Sequence, residues 1–451
     1  MRKKMTREGR LRKPHRQEWP GFFRRLISDH VWRGLDGTAK QGKDSRRRWS
    51  PRLILLCWIM MSWSIEDQLT ERFREGRDTL SKMFYRRRRC GTSYQGLTHA
   101  TYRVGVGVFH RFWDKQRDSI PRRVGSAWYW HGWIVFAVDG SRIDAPRTRR
   151  NEQALGRAGR HKTRPQWWIT RLIHLPTGMM WDWRQGPGTS IERNHLREMI
   201  PSLPASSLLV GDIGFGGFDM LWDLQRSGVS FIIRCGGNTT LLVEGTRQAI
   251  ERKGDVRWVY LWPGNRRSQT PLRLRLIVFK NKGERVYLLT NVEKPTQLSR
   301  GMAGEFYRGR WKIEVAYRGL KQTLGRSKVL ARTPEPGALE LAANIVAMAL
   351  LLLYGALALG KEVIRLSLAK AIRAIRKAMQ ALRHGASCAT LLHALRAAVT
   401  DTYERHSSKR ARDWPHKKNE RPPSPPRLRR LLARQKTIIQ GRWMGYQAQL
   451  T

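Results

Sequence analysis

The sequence has few cysteines, and its first residues contain no long apolar stretch. Its four cysteines, Cys57, Cys90, Cys235 and Cys388, lie far apart and form no CxxC pair. This spacing excludes a zinc ribbon and a disulfide framework, and it predicts reduced cysteines in a reducing compartment. The first residues, MRKKMTREGRLRKPHRQEW, also lack the apolar stretch of a signal peptide. We therefore expect a cytoplasmic location.

Acidic residues are also scarce. The 451 residues include 87 Lys and Arg but only 35 Asp and Glu, which gives a formal net charge of +52. A surface this positive repels itself unless it meets a polyanion, and nucleic acid binds such surfaces by releasing counterions. A membrane surface or a ribosomal role would also fit the charge, but ribosomal proteins are poorer in tryptophan than this chain, which has 19. The charge therefore favours nucleic acid as the partner.

The pattern of apolar residues divides the chain into regions. In the middle, apolar runs that end in turn signals predict three strands and then alternating helices and strands, which is typical of a mixed α/β sheet. Pro176-Thr177-Gly178 predicts a hairpin, and Ser190 is the expected N-cap of the next helix. We expect the C-terminal tail to be mobile. The predicted regions are a basic arm (1–50), a helical DNA-binding region (51–128), the first part of the α/β core (129–235), a β-rich insertion (236–296), the second part of the core with its helices (297–400) and a basic, proline-rich tail (401–451).

One segment is apolar enough to suggest a membrane helix. Leu341 to Leu359 contains only one strongly polar residue, Asn344, and is long enough to span a bilayer. A helix buried on all sides in a protein core has the same composition. The segment is rich in alanine, and nothing else in the chain resembles a membrane segment. We therefore interpret it as a buried core helix and expect no membrane association.

A helix predicted over residues 306–325 carries an ordered row of polar side chains. At about 100° per residue, Tyr307, Arg310, Glu314 and Lys321 fall on one narrow face. The apolar residues of the adjacent face, which would pack on the sheet, are Phe306, Ile313, Leu320 and Leu324. Such a row is often only an exposed face with ion pairs. Here the carboxylate lies among cations that complement phosphates, as a metal ligand beside a DNA backbone would require.

Two aspartates each follow an apolar run that predicts a strand. Asp139 follows WIVFAV and Asp212 ends SLLVGD. Either one alone is most simply a turn residue, but with Glu314 they supply three carboxylates on three core elements. Hard cations such as Mg²⁺ take oxygen ligands and keep several waters, so a few carboxylates suffice. Asp144 is a competing ligand, and we favour Asp139 because it follows the strand directly.

The order and spacing of these residues resemble a known family. The spacing Tyr307-x2-Arg310-x3-Glu314-x6-Lys321 matches the Tyr-Arg-Glu-Lys signature of DDE transposases of bacterial insertion sequences. The segments VDGS at the first aspartate, GDIGF and FIIRC at the second, and LARTPEP before the apolar helix are also similar to that family. The resemblance covers roughly residues 130 to 355. It rests on all the motifs occurring in order.

The resemblance implies an RNase H-like core in which three carboxylates converge on two divalent ions, Mg²⁺ or Mn²⁺. The implied metal ligands, which are also the implied catalytic residues, are Asp139, Asp212 and Glu314. The residues implied to bind DNA are Tyr307, Arg310 and Lys321, which would hold phosphates near the cut, and Arg234, whose role is less defined. Some relatives stack an aromatic residue of the insertion on a flipped base when the DNA end forms a hairpin. The corresponding position here is Val286, with Tyr287 beside it, which departs from that pattern.

These observations predict a DNA transposase that moves an insertion sequence by cut-and-paste, through metal-dependent hydrolysis and strand transfer. Its partners would be double-stranded DNA, at the transposon ends and the target, and a second copy of the chain in a synaptic complex, because two ends must be held together. We expect it in the bacterial cytoplasm, associated with the nucleoid. The alternative is a catalytically inactive DNA-binding protein derived from a transposase, against which the complete set of carboxylates argues.

Overall fold

The computed structural model describes residues 21, 23, 27–36, 48–84, 90–105, 107–158, 164–262, 269–281, 283–385, 390–400 and 423–448. Most of the predicted basic arm, and residues 401–422 of the predicted tail, lie outside these described residues. The chain forms two compact units. The helical unit comprises Met1–Trp128, Gly140–Ser190 and Glu314–Thr400, and the sheet unit comprises Tyr129–Asp139, Ile191–Ile313 and Asp401–Thr451.

Helices fill most of the regions before and after the central strands. In chain order the α-helices are α1 (Asp29–Asp36), α2 (Pro51–Trp63), α3 (Leu69–Met83), α4 (Tyr94–Val104), α5 (Val108–Arg117), α6 (Ile120–Val124), α7 (Arg149–Leu155), α8 (Glu192–Met199), α9 (Phe218–Arg226), α10 (Arg247–Lys253), α11 (Arg300–Gly309), α12 (Trp311–Arg318), α13 (Pro334–Leu359), α14 (Leu368–His384), α15 (Leu391–Arg396) and α16 (Ala433–Ala448). The strands are β1 (Ile134–Asp144), β2 (Arg157–Ala158), β3 (Arg164–His174), β4 (Met180–Pro187), β5 (Ser207–Gly211), β6 (Ser230–Cys235), β7 (Thr240–Val243), β8 (Asp255–Leu261), β9 (Leu272–Asn281), β10 (Glu284–Thr290) and β11 (Arg427–Arg430).

Helix α2 begins at a Ser-Pro pair, Ser50-Pro51, which is a typical signal for the start of a helix. The Ser50 hydroxyl accepts a hydrogen bond from the Leu53 amide (3.3 Å), and Pro51 occupies the first turn, where its missing N–H would have no helical partner. Every residue from Ile54 to Trp63 is buried. The helix packs against α3 and α13 within the helical unit. A helix that is apolar on all sides is expected only inside a core.

Helix α13 contains the apolar segment that raised the question of a membrane span. Its length and composition would suffice to cross a bilayer, but 83% of its most apolar window is buried inside this chain. It contacts α2, α5, α6, α14 and α15, all in the helical unit. Glu340 and Asn344 are buried along the helix. These contacts agree with the prediction of a buried core helix.

A cluster of buried charges joins α13 to the N-terminal helices. The Glu340 carboxylate accepts hydrogen bonds from the amides of Leu330 (2.8 Å) and Ala331 (3.1 Å), and it lies 3.3 Å from the Arg72 guanidinium. Burial raises the pKa of Glu340, and these donors and Arg72 oppose that rise. Arg326 donates to backbone carbonyls at the end of α2, and burial lowers its pKa to about 9. Each buried charge therefore has a specific partner.

Acid should weaken the helical unit through His110. This side chain stacks on Trp183 with ring centroids 4.0 Å apart, and burial, with Arg184 nearby, lowers its pKa to about 4. Between pH 6.5 and 4 the unfolded chain binds a proton that the folded His110 does not, so stability falls as the pH falls through this window. We expect a loss of about 2 kcal/mol after allowing for solvent screening.

The matched variant for this effect is His110→Phe, which retains a flat ring against Trp183. Melting temperatures of both proteins between pH 7.5 and 4 measure the effect. The wild-type protein should lose stability relative to the variant as the pH falls. A difference between the two that stays constant across this range would contradict the prediction.

In the sheet unit, β1, β5 and β6 are parallel neighbours. The register pairs Ile134 with Ser207 and Ala137 with Val210 across β1 and β5. Strand β6 continues the parallel set, and β10 then joins it antiparallel. All five residues of β5 are buried, as expected for an inner parallel strand. The strand end predicted just before Asp212 is therefore confirmed. The strand end predicted at Asp139 is wrong, because β1 continues through Asp139 to Asp144.

The strand order identifies the core. It reads β4-β3-β1-β5-β6 and continues as β10-β9-β8-β7-β11. Strands β3 and β4 form an antiparallel hairpin, with its turn at the predicted Pro176-Thr177-Gly178. A hairpin next to β1, followed by two strands parallel to β1, is the arrangement of an RNase H-like core. The fold is therefore the predicted mixed α/β sheet.

The predicted Ser190 cap is wrong. The Ser190 amide instead donates to the Pro187 carbonyl in the turn after β4, and α8 begins at Glu192.

The predicted insertion continues the sheet. Strands β7, β8, β9 and β10 pair antiparallel in their sequence order, and β10 also pairs with β6. A bulge in β8 places Trp258 at a φ of 62°, where the Arg273 guanidinium covers its ring at 3.9 Å. Helix α10, which the strand pattern did not predict, separates β7 from β8.

Part of the tail is ordered, contrary to the expectation of a mobile segment. Strand β11 pairs in parallel with β7, from Arg427 opposite Thr240 to Arg430 opposite Val243. Helix α16 follows, and its Lys436 lies 2.6 Å from Glu244. Backbone pairing and this ion pair hold the segment on the sheet unit. The proline-rich composition that predicted mobility does not extend to these residues.

Candidate active site

Asp139 and Asp212 occupy equivalent positions on neighbouring strands. The register of β1 and β5 pairs Ala137 with Val210, and each aspartate lies two residues beyond that pair. Adjacent strands are about 4.8 Å apart. Parallel register alone therefore brings the two carboxylates to the same end of the sheet. Their side chains are 27% and 34% exposed, which leaves oxygen atoms accessible from solvent.

Arg310 lies between the two carboxylates. One guanidinium nitrogen is 4.0 Å from Asp139 Oδ2, and another is 3.5 Å from Asp212 Oδ2. The guanidinium is 14% exposed and therefore sits largely within the site. A single cation offsets the repulsion between two neighbouring carboxylates in this way. The arrangement brings together three of the seven residues singled out in the sequence.

Tyr307 and Arg234 form a second layer behind Asp212. The Tyr307 hydroxyl donates to Asp212 Oδ1 (3.3 Å), and Arg234 donates to the Tyr307 hydroxyl (3.5 Å). Asp212 Oδ1 also accepts from the amide of Ile213 (2.8 Å). Tyr307 is buried, and burial, reinforced by Asp212, raises the pKa of its phenol. In this structure the phenol therefore orients a carboxylate.

The helix that carries the signature is not continuous. Helix α11 ends at Gly309, a weak helix former, and the Arg310 amide is shared between the carbonyls of Phe306 and Tyr307 (both 3.2 Å). Helix α12 then begins at Trp311 and carries Glu314 in its first turn. Arg310 keeps a right-handed helical backbone (φ −52°, ψ −31°) between the two helices. Glu314 is half-buried and belongs to the helical unit.

Lys321 lies in a wide turn of the helical unit. A π-helical turn, Gly319–Thr323, follows α12, and a side chain at Gly319 would meet Leu368 at 2.5 Å. The Lys321 ammonium donates to the Ser141 hydroxyl (2.7 Å). Burial lowers the pKa of Lys321, and Asp144 opposes this shift. Sequence reasoning did not identify Ser141, although it stands in the VDGS segment. Single π-turns are frequent at functional sites.

Asp144 is engaged by other groups. Its carboxylate accepts a hydrogen bond from the Gln166 amide (2.7 Å) and lies 3.5 Å from Arg164. Its backbone also pairs with the segment around Lys328. These contacts occupy the Asp144 carboxylate, and the choice of Asp139 as the first ligand stays a prediction.

The insertion offers no exposed aromatic side chain at the aligned position. Val286 is buried in β10, and Tyr287 is buried beside it. The Tyr287 hydroxyl donates to Glu251 (2.5 Å), and burial, with this acceptor, raises its pKa to about 12. The sequence departs from the relatives that stack an aromatic residue on a flipped base, and the burial of Val286 and Tyr287 agrees with that departure.

The two carboxylates that the sheet unit supplies suit a hard divalent cation. Asp139 and Asp212 provide carboxylate oxygens without sulfur or imidazole, which is the chemistry that Mg²⁺ and Mn²⁺ prefer. Across the part of the chain that the structure describes, no cluster of three or more His, Cys, Asp or Glu side chains is arranged to hold a metal ion. The sheet unit therefore brings together two of the three predicted ligands, Asp139 and Asp212.

Comparison with known proteins relates the middle of the chain to one family. The family model for the transposase DDE domain matches residues 130–352, which include β1, β5 and α12. This part of the chain is similar to a transposase DDE domain. The matched span contains both aspartates and Glu314, together with the insertion between them, and it agrees closely with the range of the resemblance seen in the sequence.

The chain is also similar to individual known proteins. Over 229 residues the chain is 26% identical to the transposase InsG for insertion sequence element IS4 of Escherichia coli (strain K12), which covers 47% of this chain and 49% of that protein. The chain thus matches about half the length of this curated relative. The cryo-EM structure of the piggyBac transposase synaptic complex with hairpin DNA has a TM-score of 0.41 at 10% identity, with 89% of each chain covered, which is a weak likeness.

Proposed function

We propose that this chain moves an insertion sequence by cut-and-paste transposition. Water attacks a phosphodiester at the element end and breaks the bond between phosphorus and the 3′-oxygen. One strand end then carries a free 3′-hydroxyl, and the other carries a 5′-phosphate. That 3′-hydroxyl then attacks a phosphodiester of the target, so that one bond forms as another breaks. The observation that carries the proposal is the equivalent placement of Asp139 and Asp212 on parallel strands, with Arg310 between them.

The proposed roles follow from the chemistry of each side chain. Asp139, Asp212 and Glu314 would hold two divalent ions, Mg²⁺ or Mn²⁺. Such ions lower the pKa of an attacking oxygen and stabilise the charge on the leaving one. Tyr307 would keep one oxygen of Asp212 turned towards the ions. Arg310 would bind a phosphate near the cut.

The proposed partners follow from the reaction. The substrate is double-stranded DNA, as transposon ends and as target, and the net charge of +52 provides its attraction. Two ends must be held together for one element to move, so a homodimer in a synaptic complex is the proposed assembly. A chain that acts on bacterial DNA would work in the cytoplasm, at the nucleoid.

A strand-cleavage assay tests the proposal. The full chain is incubated with duplexes that carry the terminal inverted repeats flanking its gene, in Mg²⁺, in Mn²⁺ or in EDTA. Cutting at the repeat boundary in either metal, and none in EDTA, is the expected result. Binding without cutting under every metal condition would favour the inactive DNA-binding derivative.

Arg310→Ala and Lys321→Ala should weaken binding to the element end. Each removes a cation that we place on a DNA phosphate, so affinity should fall about tenfold and the salt dependence by about one phosphate contact. Fluorescence anisotropy at several salt concentrations measures both quantities. Arg226→Ala, at an exposed position at the end of α9, is the matched control. Equal losses in all three variants would argue against these two phosphate contacts.

A further inference from the structure

An arginine-rich cleft lies in the helical unit, after the end of β1. It is open to solvent and has a volume of about 540 Å³. We call it the arginine cleft. The residues that line it are Arg147, Thr148, Arg149, Glu152, Gln153 and Arg157.

The charge of the cleft is predominantly positive. Arg147 and Arg157 have side chains that are 64% and 59% exposed, and Arg149 is also exposed. Glu152 is the only acidic lining residue, and one of its oxygens lies 3.3 Å from Arg147 while the other lies 3.3 Å from Arg157. Hydrogen bonds from Arg147, and then from Arg157, lower the pKa of Glu152 and keep it ionised. Two guanidinium groups therefore share one carboxylate, and a third, that of Arg149, also lines the cleft.

The surroundings add further basic groups. Strand β2 pairs Arg157 with Pro165 and Ala158 with Arg164, so the 64% exposed Arg164 lies next to the cleft along the strand pair. Guanidinium groups present paired N–H donors that match the oxygens of a phosphate. A cleft with several exposed guanidinium groups and one shared carboxylate therefore fits a polyanion better than it fits a neutral ligand.

The cleft is also within reach of a group already placed near DNA. Ser141 accepts the hydrogen bond of Lys321 in the same unit. Six residues separate Ser141 from Arg147, which is at most about 20 Å even for a fully extended chain. One turn of duplex DNA is about 34 Å long. A duplex with a phosphate at Lys321 can therefore place another phosphate at the cleft.

We propose that the arginine cleft binds the phosphate backbone of duplex DNA, at a contact separate from the phosphate that is cut. This rests on the proposed function, because it takes DNA as the substrate of the chain. Glu152 holds Arg147 and Arg157 when DNA is absent and competes with phosphate for them. The cleft therefore increases the affinity of the chain for DNA, and Glu152 reduces that increase.

The test compares variants that should shift DNA affinity in opposite directions. The full chain is titrated into a 30-base-pair duplex of unrelated sequence, and anisotropy is followed at several salt concentrations. The combined change Arg147→Ala, Arg149→Ala and Arg157→Ala should reduce the salt dependence by about two to three phosphate contacts and weaken binding at least about tenfold. Glu152→Gln should tighten binding about three- to tenfold. Loss of folding cannot mimic tighter binding.

Matched controls remove the same charges elsewhere in the helical unit. Glu71 and Arg74 form an exposed pair at 2.6 Å, so Glu71→Gln is the control for Glu152→Gln. The combined change Arg74→Ala, Arg373→Ala and Lys377→Ala, at exposed helical positions, is the control for the triple variant. Each control should change affinity by less than about twofold.

The results separate this inference from the proposed function. Equal effects in the cleft variants and their controls would overturn the assignment of the cleft. So would unchanged DNA binding by the triple variant together with reduced self-association, which would assign the cleft to a second copy of the chain. A wild-type chain that binds duplex through the cleft but never cuts element ends would overturn only the transposition chemistry.

Discussion

Asp139→Ala, Asp212→Ala and Glu314→Ala should each lower the rate of strand cleavage at least about 1000-fold, or about 4 kcal/mol in activation free energy. Each change removes one proposed ligand of the divalent ions. Binding to duplex DNA should stay within about threefold of the wild-type value, because phosphate affinity comes from lysine and arginine. Gel assays of cutting in Mg²⁺ and anisotropy titrations in EDTA measure the two quantities separately.

Asp144→Asn is the control for these three changes. This carboxylate is close in sequence to Asp139 but is already engaged by Gln166 and Arg164, so its loss should leave most of the cutting rate. Rapid cutting by the Glu314 variant would remove the proposed mechanism. Loss of cutting in the Asp144 variant, with retention in the Asp139 variant, would show that the wrong aspartate had been chosen.

Glu340→Ala should destabilise the helical unit by about 3–5 kcal/mol, which is typical when one partner of a buried charge pair is removed. The change leaves the amides of Leu330 and Ala331 without their acceptor and leaves Arg72 without the carboxylate beside it. Because only 3% of Glu340 is exposed, water does not readily replace these interactions. The melting temperature of the full chain at pH 7 measures the loss.

Glu335→Ala is the matched control, since it removes an exposed carboxylate from the first turn of the same helix. Its cost should stay below about 1 kcal/mol, the scale of an interaction with the helix dipole. If the Glu340 and Glu335 variants had the same melting temperature, the buried cluster would contribute little to stability.

The placement of the aspartates could be predicted in part, because it depends on local signals. Each one follows an apolar run that forms a strand, although β1 continues past Asp139 to Asp144. The register that sets Asp139 level with Asp212 could not be predicted, because it depends on pairing between residues more than seventy positions apart. The convergence of Glu314 with this pair remains a prediction from the resemblance.

The signature helix shows where periodicity fails. Counting 100° per residue places Tyr307 and Lys321 on one face only if the helix is regular throughout. The π-turn that begins at Gly319 changes that geometry before Lys321. The sequence predicted a row of polar residues, but it did not predict that Tyr307 would be buried against Asp212.

The sequence contains boundary signals for helix α10, but the surrounding strand pattern outweighed them in the prediction. Thr246 caps α10 and Gly254 ends it in the left-handed region, both of which are ordinary helix boundary signals. The surrounding alternation of apolar residues favoured strands, and a seven-residue helix adds little to that pattern. The buried helix α13 was predicted correctly because alanine-rich, apolar composition on every face fits a crowded interior.

Strand β11 has a consequence for how this protein can be shortened. It is the last strand in the order of those described, so its outer side offers unpaired backbone groups that would recruit strands of other molecules. Arginine at three of its four positions opposes such aggregation. A truncated chain that ended before Arg427 would instead present the outer side of β7, where buried Leu241 and Val243 alternate. Solubility would then depend on a strand that has no charge of its own.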